Sequence, residues 1–375
     1  MDIGVPKESS PHEHRVALSP RGVKSLSRHG HRVFVESGAG AEAGHTDAEY
    51  ESAGATIVYN RMEVFGRSEL LLGVFAPSAA EYELLQPRQA VLAFWALAAA
   101  HAENLKRLRE QKVTAIGIEV IEDADHHAPV VTSMSEIAGP LAITVGSGLL
   151  LNEFGGKGIL LSGAPGVPPA NVVILGAGVL GQAAARVALG IGAELVLMDR
   201  SVAHLRQALV ALGRPVPSML ATASNIEQAL SFADLVIASP AVRGERAPQI
   251  VTREMLRRMK PRSVVMDLSI DMGGCLETSR PTYFPKPLFE VDGVLHFCVP
   301  NLPTIAARSA TRAFTNALLP FILELAGRGI EAALLEVPEL RRGAYLLEGR
   351  CVAASLSRLF GIPHQPLPSG ADREA

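Results

Sequence analysis

The chain has 375 residues, long enough for two domains with separate cores. Apolar residues make up 48% and charged residues 19%, with a net charge of −3, which excludes a disordered chain and gives nucleic acid or an anionic membrane surface nothing to bind. Cys275, Cys298 and Cys351 are scattered, odd in number and lack metal-ligand spacing, so they read as reduced core thiols and no metal is expected.

The N-terminal segment has neither the basic start nor the long apolar run of a signal peptide. Residues 2–5 and 32–36 read as short strands, with a helix over 20–30 that Ser19 can cap. A helix at 47–53, capped by Thr46, leads to a strand at 56–59. Strands follow at 70–74, 90–94 and 114–119, with an amphipathic helix at 101–111. This alternation indicates a first doubly wound sheet. Residues 122–130 are polar and irregular and mark a boundary. A long helix is expected over 132–152, started by Ser133 or Ser135. Its apolar stretch at 137–151 is too short for the ~20 residues a bilayer demands and reads as a buried helix. The chain is therefore expected to be soluble and cytoplasmic, with no membrane partner.

Residues 171–200, NVVILGAGVLGQAAARVALGIGAELVLMDR, are the most informative stretch. An apolar strand runs into Gly176, Ala177, Gly178, Val179, Leu180 and Gly181; a small-residue helix, a second apolar strand and Asp199 follow. Gly176 permits the tight turn, Gly178 a close approach of backbone to pyrophosphate, and Gly181 close packing of helix on strand. The helix start offers free N–H groups and partial positive charge to phosphates. Asp199 falls where a carboxylate accepts ribose hydroxyls. It disfavours a 2′-phosphate, although Arg200 beside it is of a type that accommodates one. NAD(H) is the cofactor this stretch predicts. Further apolar strands at 218–221, 234–238 and 263–267 alternate with helices at 201–212, 225–231 and 252–258, as in a parallel sheet buried on both faces. A second long helix is expected at 308–328, with more helix to Phe360 and a frayed tail from Pro363.

These elements predict an α/β chain with two Rossmann-like doubly wound domains, joined by long helices with a cleft between. Residues 1–128 and 305–375 form the substrate domain; residues 129–304 form the inserted NAD(H)-binding domain.

Several segments, in order along the chain, resemble the alanine dehydrogenase and transhydrogenase N-terminal family. They are GVPKE…HRVALSP at the start, SMSEIAG at 133–139, GGKGILLSGAPGV at 155–167, the glycine turn with Asp199, MKPRSVVMDLSIDMGG at 259–274, and VPNLP at 299–303. The resemblance covers nearly the whole chain and lies closer to the alanine dehydrogenases, since no transhydrogenase membrane part is present. It implies reduction of a 2-oxo acid and ammonia to an amino acid, or the reverse, and a homo-oligomer, hexamer or dimer. It implies that Arg15 grips a substrate carboxylate and that Asp271 acts near the reacting carbon. Ser135, Ser239, Val242, Leu268, Ile270, Asn301 and Leu302 are implied around the cofactor, with Asn301 also at the substrate.

The family's substrate lysine and its histidine are missing. Phe75 stands at the lysine position, in Gly73-Val74-Phe75-Ala76-Pro77, and Ala96 at the histidine position, in Trp95-Ala96-Leu97. Ile118 replaces a tyrosine and Pro140 an arginine. His12, His14 and His101 are the nearby histidines, and none plainly substitutes. Phe75, Trp95 and Ala96 predict an apolar pocket wall, suited to a bulkier substrate than alanine. Three readings stay open: an NAD(H)-dependent oxidoreductase on another carboxylate-bearing amine, imine or 2-oxo acid; an NAD-using enzyme of the cyclodeaminase or lyase type with no net redox change; and an NAD(H)-binding pseudoenzyme.

Overall fold

The computed structural model describes residues 1–97, 101–240 and 246–368. The chain opens with β1 (Asp2–Val5), α1 (Pro20–Arg28), β2 (Arg32–Glu36), α2 (Asp47–Ser52), β3 (Ala55–Val58), α3 (Arg61–Arg67), β4 (Leu70–Phe75), β5 (Ala90–Phe94), α4 (Ala102–Glu110) and β6 (Thr114–Gly117). Local chemistry sets the starts of two of these helices. Thr46 and Glu49 form a reciprocal capping box on α2, and the Asn60 side chain accepts from Glu63 N–H on α3. Ser19 makes no side-chain cap on α1; its own N–H donates to Thr315 Oγ1 at 2.9 Å instead.

The long helix α5 (Pro129–Leu149) starts at a proline, which suits the first helical turn, and not at Ser133 or Ser135. Ser133 is already inside it, donating to Val130 O at 2.8 Å. The chain continues through β7 (Asn171–Leu175), α6 (Val179–Ile191), β8 (Glu194–Asp199), α7 (Val202–Leu212), β9 (Ser218–Leu220), α8 (Ala223–Phe232), β10 (Leu235–Ala238), α9 (Arg253–Leu256), β11 (Val264–Asp267), β12 (Leu288–Val291) and β13 (Val294–Phe297). It ends with α10 (Ala307–Arg328), α11 (Ile330–Glu336), α12 (Pro338–Gly343), β14 (Ala344–Leu347), β15 (Arg350–Cys351) and α13 (Ala354–Phe360). Two compact units result: Met1–Met134 with Thr304–Ala375, and Ser135–Pro303.

The first unit holds an eight-stranded sheet in the order β15-β14-β6-β5-β4-β1-β2-β3. The second holds seven strands in the order β12-β13-β11-β10-β7-β8-β9. Each is doubly wound: β1 lies between β2 and β4, and β7 between β8 and β10, all parallel. Successive residues of the central strands go to opposite cores. Leu70 and Leu72 join one apolar cluster and Leu71 the other; Val172 and Ile174 likewise separate from Val173 and Leu175. Burial on both faces explains why these strands read as apolar runs. Among the described residues no helix is long and apolar enough to cross a membrane.

Helix does not continue unbroken to Phe360. Residues 344–347 and 350–351 form an antiparallel hairpin whose first strand pairs with β6. A four-residue apolar run cannot be told from helix by periodicity, but the Glu348-Gly349 turn gives it away: φ is +46° and +76°, as a two-residue hairpin turn requires. The β12–β13 hairpin uses the same device, Asp292-Gly293 with φ of +49° and +82°. The strand read at 114–119 ends at Gly117 and passes into a short 3-10 turn, Ile118–Val120.

Leu346 on β14 is fully buried. Leu346→Ala should therefore cost about 2–5 kcal/mol, read as a lower denaturant midpoint for the first unit; a loss under about 0.5 kcal/mol, typical of surface sites, would contradict this placement.

Candidate active site

The glycine turn sits at the carboxyl end of β7, at the point where the strand order of the second sheet reverses, which is where doubly wound sheets bind ligands. Gly176 has φ +117°, open to glycine but not to side chains. At Gly181 a Cβ would fall 1.8 Å from the Gly176 carbonyl oxygen. At Gly178, the N-cap of α6, a Cβ would meet nothing within 4 Å. The space over Gly178 is thus open, and no protein packing fills it. Ala177 is buried, Leu180 is half-buried and Val179 is exposed at the helix start.

Asp199 ends β8 and is buried. Its Oδ2 accepts from Ala177 N–H at 2.8 Å and its Oδ1 from Ser201 N–H at 2.8 Å, with His204 Nδ1 3.3 Å from Oδ1. The acid therefore also ties the glycine turn to the second strand, and its remaining lone pairs are those a ribose would use. Arg200 is exposed. Ser239 follows β10 and abuts Gly176, its Oγ 3.1 Å from where a Cβ would be. Val242 lies outside the described residues. Ser135 is half-buried inside α5. These groups fit a dinucleotide: 176–181 and the α6 start for the pyrophosphate, Asp199 for the ribose. When bound, that cofactor supplies or accepts hydride at its nicotinamide.

Sequence reasoning overlooked Asp267, the last residue of β11. It is fully buried and accepts from the N–H groups of Ser269, Cys275 and Leu276 and from Ser279 Oγ. It thereby fixes the turn carrying Leu268, Ile270 and Asp271. Leu268 is half-buried, Ile270 and Leu302 are buried, and Asp271 is exposed. Asn301 N–H donates to Asp271 Oδ2 at 3.1 Å, with Asn301 at φ +57°, a region asparagine tolerates. Two residues separated by 30 positions are thus brought together.

In the first unit, Arg15 lies on the long loop after β1 and is 4% exposed. Its Nε and Nη2 donate to Glu13 Oε1 and Oε2, each at 2.8 Å, and Nη1 reaches Met134 Sδ at 3.1 Å. The loop hangs from hydroxyls at and before the start of α10: His14 N–H donates to Thr304 Oγ1 and Val16 N–H to Thr311 Oγ1. Glu13 thus holds Arg15 through two parallel N–H···O bonds within the protein itself.

Phe75 is half-buried at the end of β4, edge-on to Phe94 at 5.7 Å between centroids. Ala96 follows β5 with φ +46°. Its N–H donates to Glu119 Oε1 at 2.9 Å, and the same carboxyl accepts from Trp95 N–H and the Tyr345 hydroxyl. Burial raises the Glu119 carboxyl above its ordinary range despite these bonds. Trp95 points into the core, donating Nε1–H to Val91 O at 3.3 Å, and Ile118 is buried. Pro140 sits within α5. His14 pairs with Glu42, and His101 is exposed at the start of α4.

A glycine turn at a sheet's switch point, an acid ending the next strand, and a second doubly wound unit with a buried arginine define an NAD(H)-dependent oxidoreductase. The family follows from comparison with known proteins. The model described as "Alanine dehydrogenase/PNT, N-terminal domain" matches residues 4–138, and "Alanine dehydrogenase/PNT, C-terminal domain" matches 142–354. The alanine dehydrogenase of Methanococcus maripaludis is 38% identical over 367 residues, 98% of each chain. A solved L-alanine dehydrogenase superposes with a TM-score of 0.91 at 39% identity, covering 96% of this chain and 99% of its own. A transhydrogenase from Sinorhizobium meliloti gives 0.80 at 28%, over 95% and 100%. The chain belongs to the alanine dehydrogenase/PNT family, and NAD(H) is its cofactor.

Two outcomes test this geometry. Gly178→Ala should leave the melting temperature unchanged and weaken NADH binding, measured by fluorescence titration, whereas Gly181→Ala should lower both. Arg15→Met removes the guanidinium that pairs with the buried Glu13 charge and should cost about 3–5 kcal/mol. Adding Glu13→Leu should recover part of that loss in the same denaturant melt, since it also removes the acceptor of Arg15 N–H and Thr304 Oγ1.

Proposed function

We propose that this dehydrogenase acts on a carboxylate-bearing amine, imine or 2-oxo acid other than alanine or pyruvate. The observation that carries the proposal is Phe75 packed edge-on to Phe94, with Ala96 beyond the next strand, where the family resemblance calls for a lysine and a histidine. A cation at a developing oxyanion is typically worth about 10²–10³ in rate. A general acid–base is worth about 10²–10⁴, and the two need not add. The family lysine and histidine that would supply these to a ketone substrate with ammonia are both missing. A preformed imine asks less of the site, because its nitrogen accepts the proton directly and no carbonyl oxygen has to leave.

Arg15 and Asp271 remain for binding the carboxylate and handling charge at the reacting carbon. Phe75 and Phe94 favour a substrate side chain larger than methyl. The same resemblance implies a homo-oligomer. Leu151, Phe154, Leu160 and Val167, exposed on one loop, are an apolar surface such an assembly would cover.

The test is NADH consumption, followed by absorbance, across 2-oxo acids and cyclic imine carboxylates, with and without amines. Turnover is expected with an imine and negligible with pyruvate and ammonia. Brisk alanine formation would defeat the proposal, and substrate conversion with catalytic NAD and no net NADH would establish redox-neutral chemistry instead. The paired change Phe75→Lys with Ala96→His should raise the pyruvate rate by at least about tenfold if these two side chains set the substrate.

A further inference from the structure

The strand order of the first sheet also reverses, at β1 between β2 and β4. The loops leaving the carboxyl ends of β1 and β4 flank that point, the general ligand position of such sheets. Glu8 stands there. Its Oε1 accepts from Val74 N–H at 2.7 Å and its Oε2 from Phe75 N–H at 3.2 Å, so its carboxyl is fastened to the backbone of the residue that replaces the family lysine. A cavity of about 20 Å³ adjoins it, lined by Glu8, Ser9, Phe75, Pro77 and Glu81 among others. That is room for one water molecule, which needs roughly 10–15 Å³.

We infer that Glu8 is the acid–base residue of this chain, giving its proton to the substrate nitrogen directly or through one water. The inference rests on the imine-reducing activity proposed above. A bound reduced nicotinamide would supply the hydride that the imine carbon gains. The C=N π pair passes to nitrogen, which takes the Glu8 proton. The products are amine, NAD⁺ and Glu8 carboxylate, which regains a proton from solvent. In the oxidative direction the carboxylate takes the proton back.

The charged groups around Glu8 support this role. Burial pushes its carboxyl up to about 7, aided by the nearby Glu13 charge and opposed by the Val74 and Phe75 N–H groups and by Arg15. Across the cavity, burial also acts on Glu81. There, hydrogen bonds from Ser78 and Ser9 and the Arg61 guanidinium prevail and hold the carboxyl below its usual range. Glu81 therefore stays ionised and Glu8 is the carboxyl that titrates near neutrality. Lys7 beside it is exposed, and the end of β4 contributes no ionisable side chain.

The experiment is the pH profile of kcat/KM for reduction of a five-membered cyclic imine carboxylate, with infrared titration of glutamate carboxyls in the free protein. Reduction uses the protonated acid, so the wild-type rate should fall as pH rises through about 7, and oxidation should fall as pH drops through it. Glu8→Gln should lose about 10²–10⁴ below pH 7, flatten the profile, and remove a protonated-carboxyl band that titrates near pH 7. Glu8→Asp, which keeps a carboxyl, should keep the fall at a lower rate, and it serves also if Glu8→Gln does not fold. An unchanged profile in Glu8→Gln, or no carboxyl titrating near 7 in wild type, overturns the inference. Wild-type protein that binds NADH but reduces no imine overturns the activity, and this role with it.

Discussion

In each sheet the chain leaves the first strand toward one edge and later returns on its other side. That places β1 between β2 and β4, and β7 between β8 and β10. Loops from neighbouring strands there depart to opposite faces, and the space between them is where a ligand can meet strand ends without displacing core. Several of the described residues with chemical character lie on those loops. Gly176, Gly178, Asp199 and Ser239 surround the reversal at β7, and Glu8, Arg15 and Phe75 surround the reversal at β1. The topology fixes where a substrate or cofactor can bind before any side chain is chosen.

A second constraint is electrostatic. Four buried or half-buried carboxylates do work that backbone partners would otherwise do. Glu8 holds the end of β4, Glu119 the loop after β5, Asp267 the turn after β11, and Asp199 the glycine turn. Each accepts backbone N–H groups that regular structure leaves unpaired. The loops bearing positions 75 and 96 are thus clamped through main chain, not through the side chains that differ from the family. Phe75 and Ala96 could change without dismantling the frame that presents them.

The nucleotide half was legible because its signals are local. Gly176 through Asp199 forms one strand, turn, helix and strand, with Gly176 and Gly181 answering a backbone and a steric demand that the structure bears out. Sheets buried on both faces also announce themselves as apolar runs. What escaped the sequence was long-range or short. Glu8, Glu119 and Asp267 are single acids with no telling spacing, and their meaning comes from N–H groups that meet them only after folding. Glu13 carried a faint signal, two residues before the arginine it pairs with. The β14–β15 and β12–β13 hairpins carried a stronger one, Glu-Gly and Asp-Gly turns between short apolar runs, and it was overlooked.

The β14–β15 hairpin has a consequence for synthesis. The first sheet lacks its last two strands until residue 351 has been made, while the whole second unit, Ser135–Pro303, is contiguous and emerges earlier. At roughly 5–20 residues per second, β6 waits on the order of tens of seconds for its neighbour. During that interval its edge presents unpaired backbone groups, a template for pairing with other chains. The nascent protein therefore has a period of exposure set not by stability but by the order in which the ribosome delivers the strands.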